Sequence, residues 1–165
     1  MTIFGKSVSE YVRFQTPILV FILLVGVVRL SISLAGVPAS GVKYISLTVA
    51  ALIGLVIVSI LVHTRNFGSY KQLLPLVAIQ SLVAQVFSAA AVTLAIVTGH
   101  DNVFTLSEYG GRTWGHAGAH LAIASVVVTI GGWLVGSAIL FVTKKLTSEG
   151  QRNITPKGTA RAAGA

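Results

Sequence analysis

The sequence predicts an all-α fold, a bundle of four helices that together form an integral membrane protein. Of its 165 residues, 54% are hydrophobic and only 10% are charged, whereas a soluble domain carries about 25% charged residues. The mean hydropathy of +0.86 points the same way. Four apolar runs follow one another, each reaching the roughly 20 residues that a helix needs to cross a bilayer.

The apolar runs set the domain organisation. The four spans are expected at residues 17–37, 42–62, 73–97 and 118–142. They belong to one membrane domain, residues 1–145, and residues 98–115 are expected to form a structured loop that caps the bundle. Small residues up to Ala39 could also end a signal peptide, but the first apolar run, about 21 residues long, exceeds the 7–15 of a usual signal core.

Shorter segments flank the spans. Residues 2–15 have apolar side chains at helical spacing, which predicts a short amphipathic helix on the membrane surface, with a frayed terminus as the alternative. Ser7 and Glu10 within this segment fit a capping box. The tail, residues 146–165, is polar, basic and poor in large apolar residues, so we expect it to be disordered.

The basic residues predict the orientation. Nine lie in segments on one side of the predicted bundle: Lys6, Arg13, Arg65, Lys71, Lys144, Lys145, Arg152, Lys157 and Arg161. Only Lys43 and Arg112 lie on the other side. Because cytoplasmic segments are enriched in lysine and arginine, both termini are expected in the cytoplasm, with the chain in the inner membrane of a bacterium. A dual-topology protein would need a more balanced distribution.

The net charge of +8 indicates contact with anionic lipid rather than with nucleic acid. In a soluble protein such a charge would suggest a nucleic-acid partner. Here the basic residues lie in short segments beside apolar runs, where anionic lipid head groups are the natural counterpart. The expected partners are therefore the bilayer and either a second copy of the chain or a larger membrane complex, with no nucleic acid.

Several protein classes are disfavoured because the residues they need are missing. The chain has no cysteine, which excludes disulfides, thiolate metal sites and the quinone-linked disulfide oxidases. Small multidrug exporters carry a glutamate in the first span, where this chain has Arg29. No Walker loop or G-x-S-x-G motif is present. These observations favour a protein that is not an enzyme.

Three polar side chains stand out deep inside the predicted spans. Arg29 is the most informative, because a charge inside a span is costly and suggests a function. We expect an ion pair with Asp101 or Glu108, with contact to a ligand or simple snorkelling as alternatives. Gln80 and Gln85 in the third span could form hydrogen bonds across helices or line a pore.

Small residues recur at spacings of three or four in three of the spans. Gly54 ends such a stripe in the second span, and Gly132 and Gly136 form one in the fourth. Such stripes let helix backbones approach closely. They predict a compact bundle or an oligomer.

Histidines and carboxylates are concentrated in and beside the loop at residues 98–115. The candidate ligands of a divalent metal are His100, Asp101, Glu108, His116 and His120. Two of these histidines are four residues apart, the spacing at which one helix donates two ligands. Haem b is a weaker alternative, since its axial histidines usually come from two helices. Histidines at the membrane interface without any ligand are the simplest interpretation.

These observations leave three functional hypotheses open. The leading one is a non-enzymatic accessory or structural subunit that acts through helix packing. The second is a metal- or haem-binding membrane subunit that uses the histidine cluster. The third is a small-solute transporter or channel in which Arg29 and the two glutamines contact the solute.

Overall fold

Four long helices dominate the structure, a computed structural model that describes the backbone of residues 2–154 and the side chains of residues 2–149. The elements are β1 (Thr2–Ile3), β2 (Lys6–Ser7), α1 (Val8–Leu34), α2 (Ala39–Val42), α3 (Leu47–Thr64), α4 (Tyr70–Thr98), α5 (Trp114–Ala119) and α6 (Ser125–Ile154). Four helical stretches are long and apolar enough to cross a membrane: Val8–Leu34, Ala39–Thr64, Tyr70–Thr98 and Trp114–Glu149. The all-helical prediction with four apolar spans is thus confirmed.

The N-terminal segment is a hairpin followed by α1. Strands β1 and β2 pair antiparallel across a turn in which Phe4 and Gly5 both have positive φ angles, 49° and 84°. Ser7 then caps α1, because its Oγ accepts from the Glu10 amide while Glu10 Oε2 accepts from the Ser7 amide at 2.7 Å. The predicted separate amphipathic helix is wrong, because this capping box starts one helix that continues into the first apolar run.

The helices pack around α3 and α4, and both α1 and α6 contact each of these two helices. Glycines allow the closest approaches. A Cβ atom at Gly54 would lie 2.6 Å from Ile18 Cγ2 on α1, and one at Gly132 would lie 2.9 Å from Val77 Cγ1 on α4. A Cβ at Gly136 would lie 2.8 Å from the hydroxyl of Ser59 on α3. All three glycines singled out in the sequence therefore lie at helix–helix contacts.

One end of the bundle, the hairpin end, gathers β1 and β2, the α3–α4 connection and the C-terminal part of α6. Lys6 Nζ lies 4.4 Å from the centre of the Phe67 ring, and Gln72 donates to the Phe4 carbonyl. On the other side of this end, Lys144 Nζ lies 4.4 Å from the ring centre of Tyr70. Segments that are far apart in the sequence and rich in lysine and arginine therefore meet at the same end.

The opposite end is closed by a loop plug, residues 102–105 of the α4–α5 connection, all of which are buried. The Asn102 side chain organises it by donating to the Ala91 carbonyl on α4 at 2.9 Å and accepting from the Phe104 amide at 2.9 Å. The Val103 amide donates to Ser33 Oγ at the end of α1. The plug is therefore fastened to both α1 and α4.

The last helix extends further than expected. Residues 146–154 are helical, so the expectation of a disordered tail is wrong there. Helical hydrogen bonds are local, so a helix can continue past the point where its side chains stop being buried. The remaining part of the predicted tail, residues 155–165, lies outside the described residues.

Candidate functional site

A cavity of about 380 Å³ lies between α1, α3, α4 and α6, beneath the loop plug. Its walls are mostly apolar, and its volume falls in the range of small-molecule sites, about 300–1,000 Å³. Its polar lining consists of Arg29, Thr48, Gln80, Ser81, Gln85, Ser88 and His120. The cavity therefore unites all three polar residues predicted inside the spans with one of the predicted histidines.

The cavity is elongated along α4. Its lining residues on this helix run from Val77 to Ser88, which corresponds to about 16 Å at 1.5 Å per residue. Phe104 of the plug packs edge-on against Phe87, with ring centres 5.9 Å apart, and so marks one end. Gly132, which packs against Val77, marks the other end.

Arg29 lies at the plug end of the cavity. Its guanidinium carbon is 5.2 Å from the centre of the Phe104 ring. Its Nε atom is buried and has no hydrogen-bond partner among the described residues. The cation is thus held against an aromatic face, with a donor left unsatisfied.

The expected ion pair of Arg29 is not formed. Asp101 lies instead 4.0 Å from Arg112, and this is the one salt bridge within the described part of the chain. Arg112 also donates to the carbonyl of Gly99, which holds it at the start of the loop. Glu108 is exposed in a short 3₁₀ turn, Ser107–Tyr109. Neither carboxylate forms a salt bridge with Arg29 within the described residues, so the prediction of an Arg29–carboxylate pair is wrong.

His120 reaches the cavity from a π-helical turn, His120–Ala124, that links α5 to α6. A π turn widens the helix by one residue and often marks a functional site. His120 Nδ1 lies 2.6 Å from Gln85 Oε1. Because an amide oxygen only accepts, Nδ1 carries the proton, and the Nε2 atom of Gln85 stays available as a donor.

The five candidate metal ligands do not come together. Among residues 2–149, no three histidine, aspartate or glutamate side chains lie close enough together to bind one metal ion. His116 and His120 are neighbours, with ring centres 4.9 Å apart, but His116 Nδ1 bonds to the Gly111 carbonyl at 2.8 Å. His100 is exposed just beyond the end of α4.

A buried pair of side-chain amides, Gln15 and Gln80, lies beside the cavity. Gln15 was not singled out from the sequence. Gln80 Nε2 donates to Gln15 Oε1 at 2.9 Å, and Gln15 Nε2 donates to the Leu76 carbonyl at 3.2 Å. Gln15 is fully buried on α1, although the sequence suggested a surface segment. Its spacing to Ile18 and Ile22, three and then four residues, could have placed it on the buried face of one continuous helix.

Comparisons with family models, with curated proteins and with solved structures find no match for this chain. Its function is therefore inferred from the chemistry of the cavity. Within the described residues the cavity wall holds no carboxylate, and the chain holds no thiol. Its polar groups are one guanidinium, one imidazole, two amides and three hydroxyls, all of which can form hydrogen bonds to a bound molecule.

Proposed function

We propose that this chain is a four-span integral membrane protein that binds a small solute in the cavity between its helices, as the solute-transport hypothesis suggested. The observation that supports this proposal is the buried Nε atom of Arg29, which has no acceptor among the described residues and lies at the plug end of a mostly apolar cavity. A charge at such depth is costly and is retained where it serves a function. The accessory-subunit hypothesis stays an untested prediction.

We further propose that the hairpin end faces the cytoplasm of a bacterial cell, with the helices in its inner membrane. The support is the gathering of Lys6, the α3–α4 connection and Lys144 at that end, since cytoplasmic segments are rich in lysine and arginine. The opposite end carries the loop plug and the α5 helix.

The orientation can be tested with single cysteines, because the natural chain has none. In spheroplasts, a membrane-impermeant maleimide is expected to label Ser107→Cys, which is exposed near the plug. Ser148→Cys, exposed near the end of α6, is expected to react only after the cells are lysed. The reverse labelling pattern would overturn the orientation, and equal labelling of both sites in intact spheroplasts would indicate mixed topology.

Solute binding can be tested with a variant that blocks the cavity. A Cβ atom at Gly131, which lines the cavity, meets no atom within 4 Å, so a side chain can begin at this position, and the indole of Gly131→Trp is expected to occupy part of the cavity. Native mass spectrometry of protein extracted from membranes is expected to show a bound small molecule in the natural protein, with occupancy reduced by about tenfold in Gly131→Trp.

The matched control is Gly118→Trp. Gly118 also has open space around its Cβ position, but it does not line the cavity. This control variant is expected to keep the occupancy of the natural protein. A natural protein that carries no bound molecule, or equal occupancy in both tryptophan variants, would contradict solute binding in the cavity.

A further inference from the structure

We propose that the solute is an amphiphile with one apolar chain and an anionic head group, and that the head group pairs with Arg29. A fatty acid is the simplest example of this class. The inference rests on the proposed solute-binding function and adds the chemistry of the ligand.

The plug end is built for an anion. The Arg29 guanidinium has no carboxylate partner among the described residues, and its Nε is a buried donor without an acceptor. Arg29 is half-buried, and a cation that is partly withdrawn from water is costly unless a charged, hydrogen-bonding group compensates it. A guanidinium offers several donors in a planar fork that matches a carboxylate or a phosphate. An anionic head group would satisfy both the charge and the free donor.

The other end is built for an apolar chain. There the wall includes Leu55 on α3, Val77 on α4 and Val135 on α6, while the polar side chains of Gln80 and Ser81 lie about one turn further along α4. The cavity extends about 16 Å along α4 from the level of Ser88 to the level of Val77. A water-soluble anion would fill only the plug end, so the apolar length is explained by a ligand with a chain.

The rim of the cavity shows where such a ligand would enter. Four lining side chains are exposed. Leu52 on α3 is 52% exposed, Val128 and Val135 on α6 are 43% and 53% exposed, and Thr48 on α3 is exposed as well. The mouth therefore lies between α3 and α6 and is bordered mainly by apolar groups. With the helices in a membrane, this mouth opens towards lipid, where an amphiphile with one chain dissolves and a small soluble anion does not.

The test uses the purified full chain in nanodiscs of zwitterionic phosphatidylcholine. Binding of dodecanoate is measured against dodecanol, which has the same chain without the charge, and against butyrate, which has the same head group without the chain. Nanodiscs with Gly131→Trp supply the background from partition into lipid. Dodecanoate is expected to bind about tenfold more tightly than either analogue, because a charge-assisted hydrogen bond and a buried chain both contribute.

Two substitutions locate the head group. Arg29→Gln is expected to weaken dodecanoate binding by about tenfold or more, while Arg29→Lys, which keeps the charge but loses the fork, should lie between. Arg112→Gln is the control, since Arg112 is exposed and lies outside the cavity lining. Should Arg29→Gln fail to fold, the comparison of dodecanoate with dodecanol in the natural protein still tests the need for a negative charge.

The outcomes separate this inference from the function on which it rests. Equal binding of dodecanoate and dodecanol would overturn the anionic head group, and butyrate binding as tightly as dodecanoate would overturn the apolar chain. A bound native molecule that is lost in Gly131→Trp, without any preference for dodecanoate, would leave solute binding intact and refute the ligand class. An empty cavity in the natural protein would refute both.

Discussion

Gly54→Leu is expected to destabilise the bundle by about 3 kcal/mol or more, near or above the upper end of the usual cost of overpacking. Gly54 is buried on α3, where α1 and α4 both approach. A Cβ atom there would lie 2.6 Å from Ile18 Cγ2 on α1 and 3.2 Å from Gln80 Oε1 on α4. Neighbours on two helices would have to move at once, and the amide pair of Gln80 would be disturbed as well.

The measurement is thermal unfolding of the purified protein in detergent, with the folded fraction read by size-exclusion chromatography. Gly131→Leu is the matched control. Gly131 lies on α6, and a Cβ atom at this position would meet no other atom within 4 Å. The control is expected to be neutral or slightly more stable, because leucine is a better helix former than glycine by up to about 1 kcal/mol. Equal stability of the two variants would show that α1, α3 and α4 do not approach this closely.

Gln15→Leu is expected to cost about 1–3 kcal/mol, because it leaves a buried amide of Gln80 without its acceptor. Both side chains are almost fully buried, with exposed fractions of 0% for Gln15 and 3% for Gln80. The bond between them is 2.9 Å long and joins α1 to α4. Gln80→Leu is expected to have a cost of similar size, since the Oε1 of Gln15 would then lose its donor.

The double variant Gln15→Leu, Gln80→Leu is expected to recover most of this loss. Replacing both partners of a buried bond by apolar groups of similar shape can be nearly neutral. The coupling free energy between the two sites, measured by a double-mutant cycle of thermal or denaturant unfolding, should be about 1 kcal/mol or more. Strictly additive losses would mean that the two amides do not depend on each other.

Much of the architecture could be read from the sequence because it depends on local and additive properties. Hydropathy summed over about 20 residues located four helices. The capping box of Ser7 and Glu10 is a local pattern, and it forms as the sequence suggested. What local patterns could not show is whether the capped helix stops before the first span. It does not, so the surface helix is replaced by a hairpin and one long α1.

Only part of the candidate site could be predicted from the sequence. Arg29, Gln80 and Gln85 could be singled out because polar groups inside apolar runs are rare. The hydrogen-bond and ion-pair partners of these residues could not be predicted from the sequence. Asp101 lies near Arg112 instead of Arg29, and His120 bonds to Gln85 instead of joining His100 and Glu108. These pairings depend on the path of the loop plug and on the π turn after α5.

Composition and periodicity alone therefore specify an all-helical chain with four apolar spans, caps and small-residue stripes, since each of these follows from interactions within one helix or from simple sums. The cavity is a different kind of property. It exists because Arg29 on α1, Gln85 on α4 and His120 in the π turn after α5 face the same space. The rotation of the helices about their own axes, which brings these groups together, is set by packing at glycines such as Gly54 and Gly132. That rotation depends on contacts between residues far apart in the chain, which no pattern along one helix records.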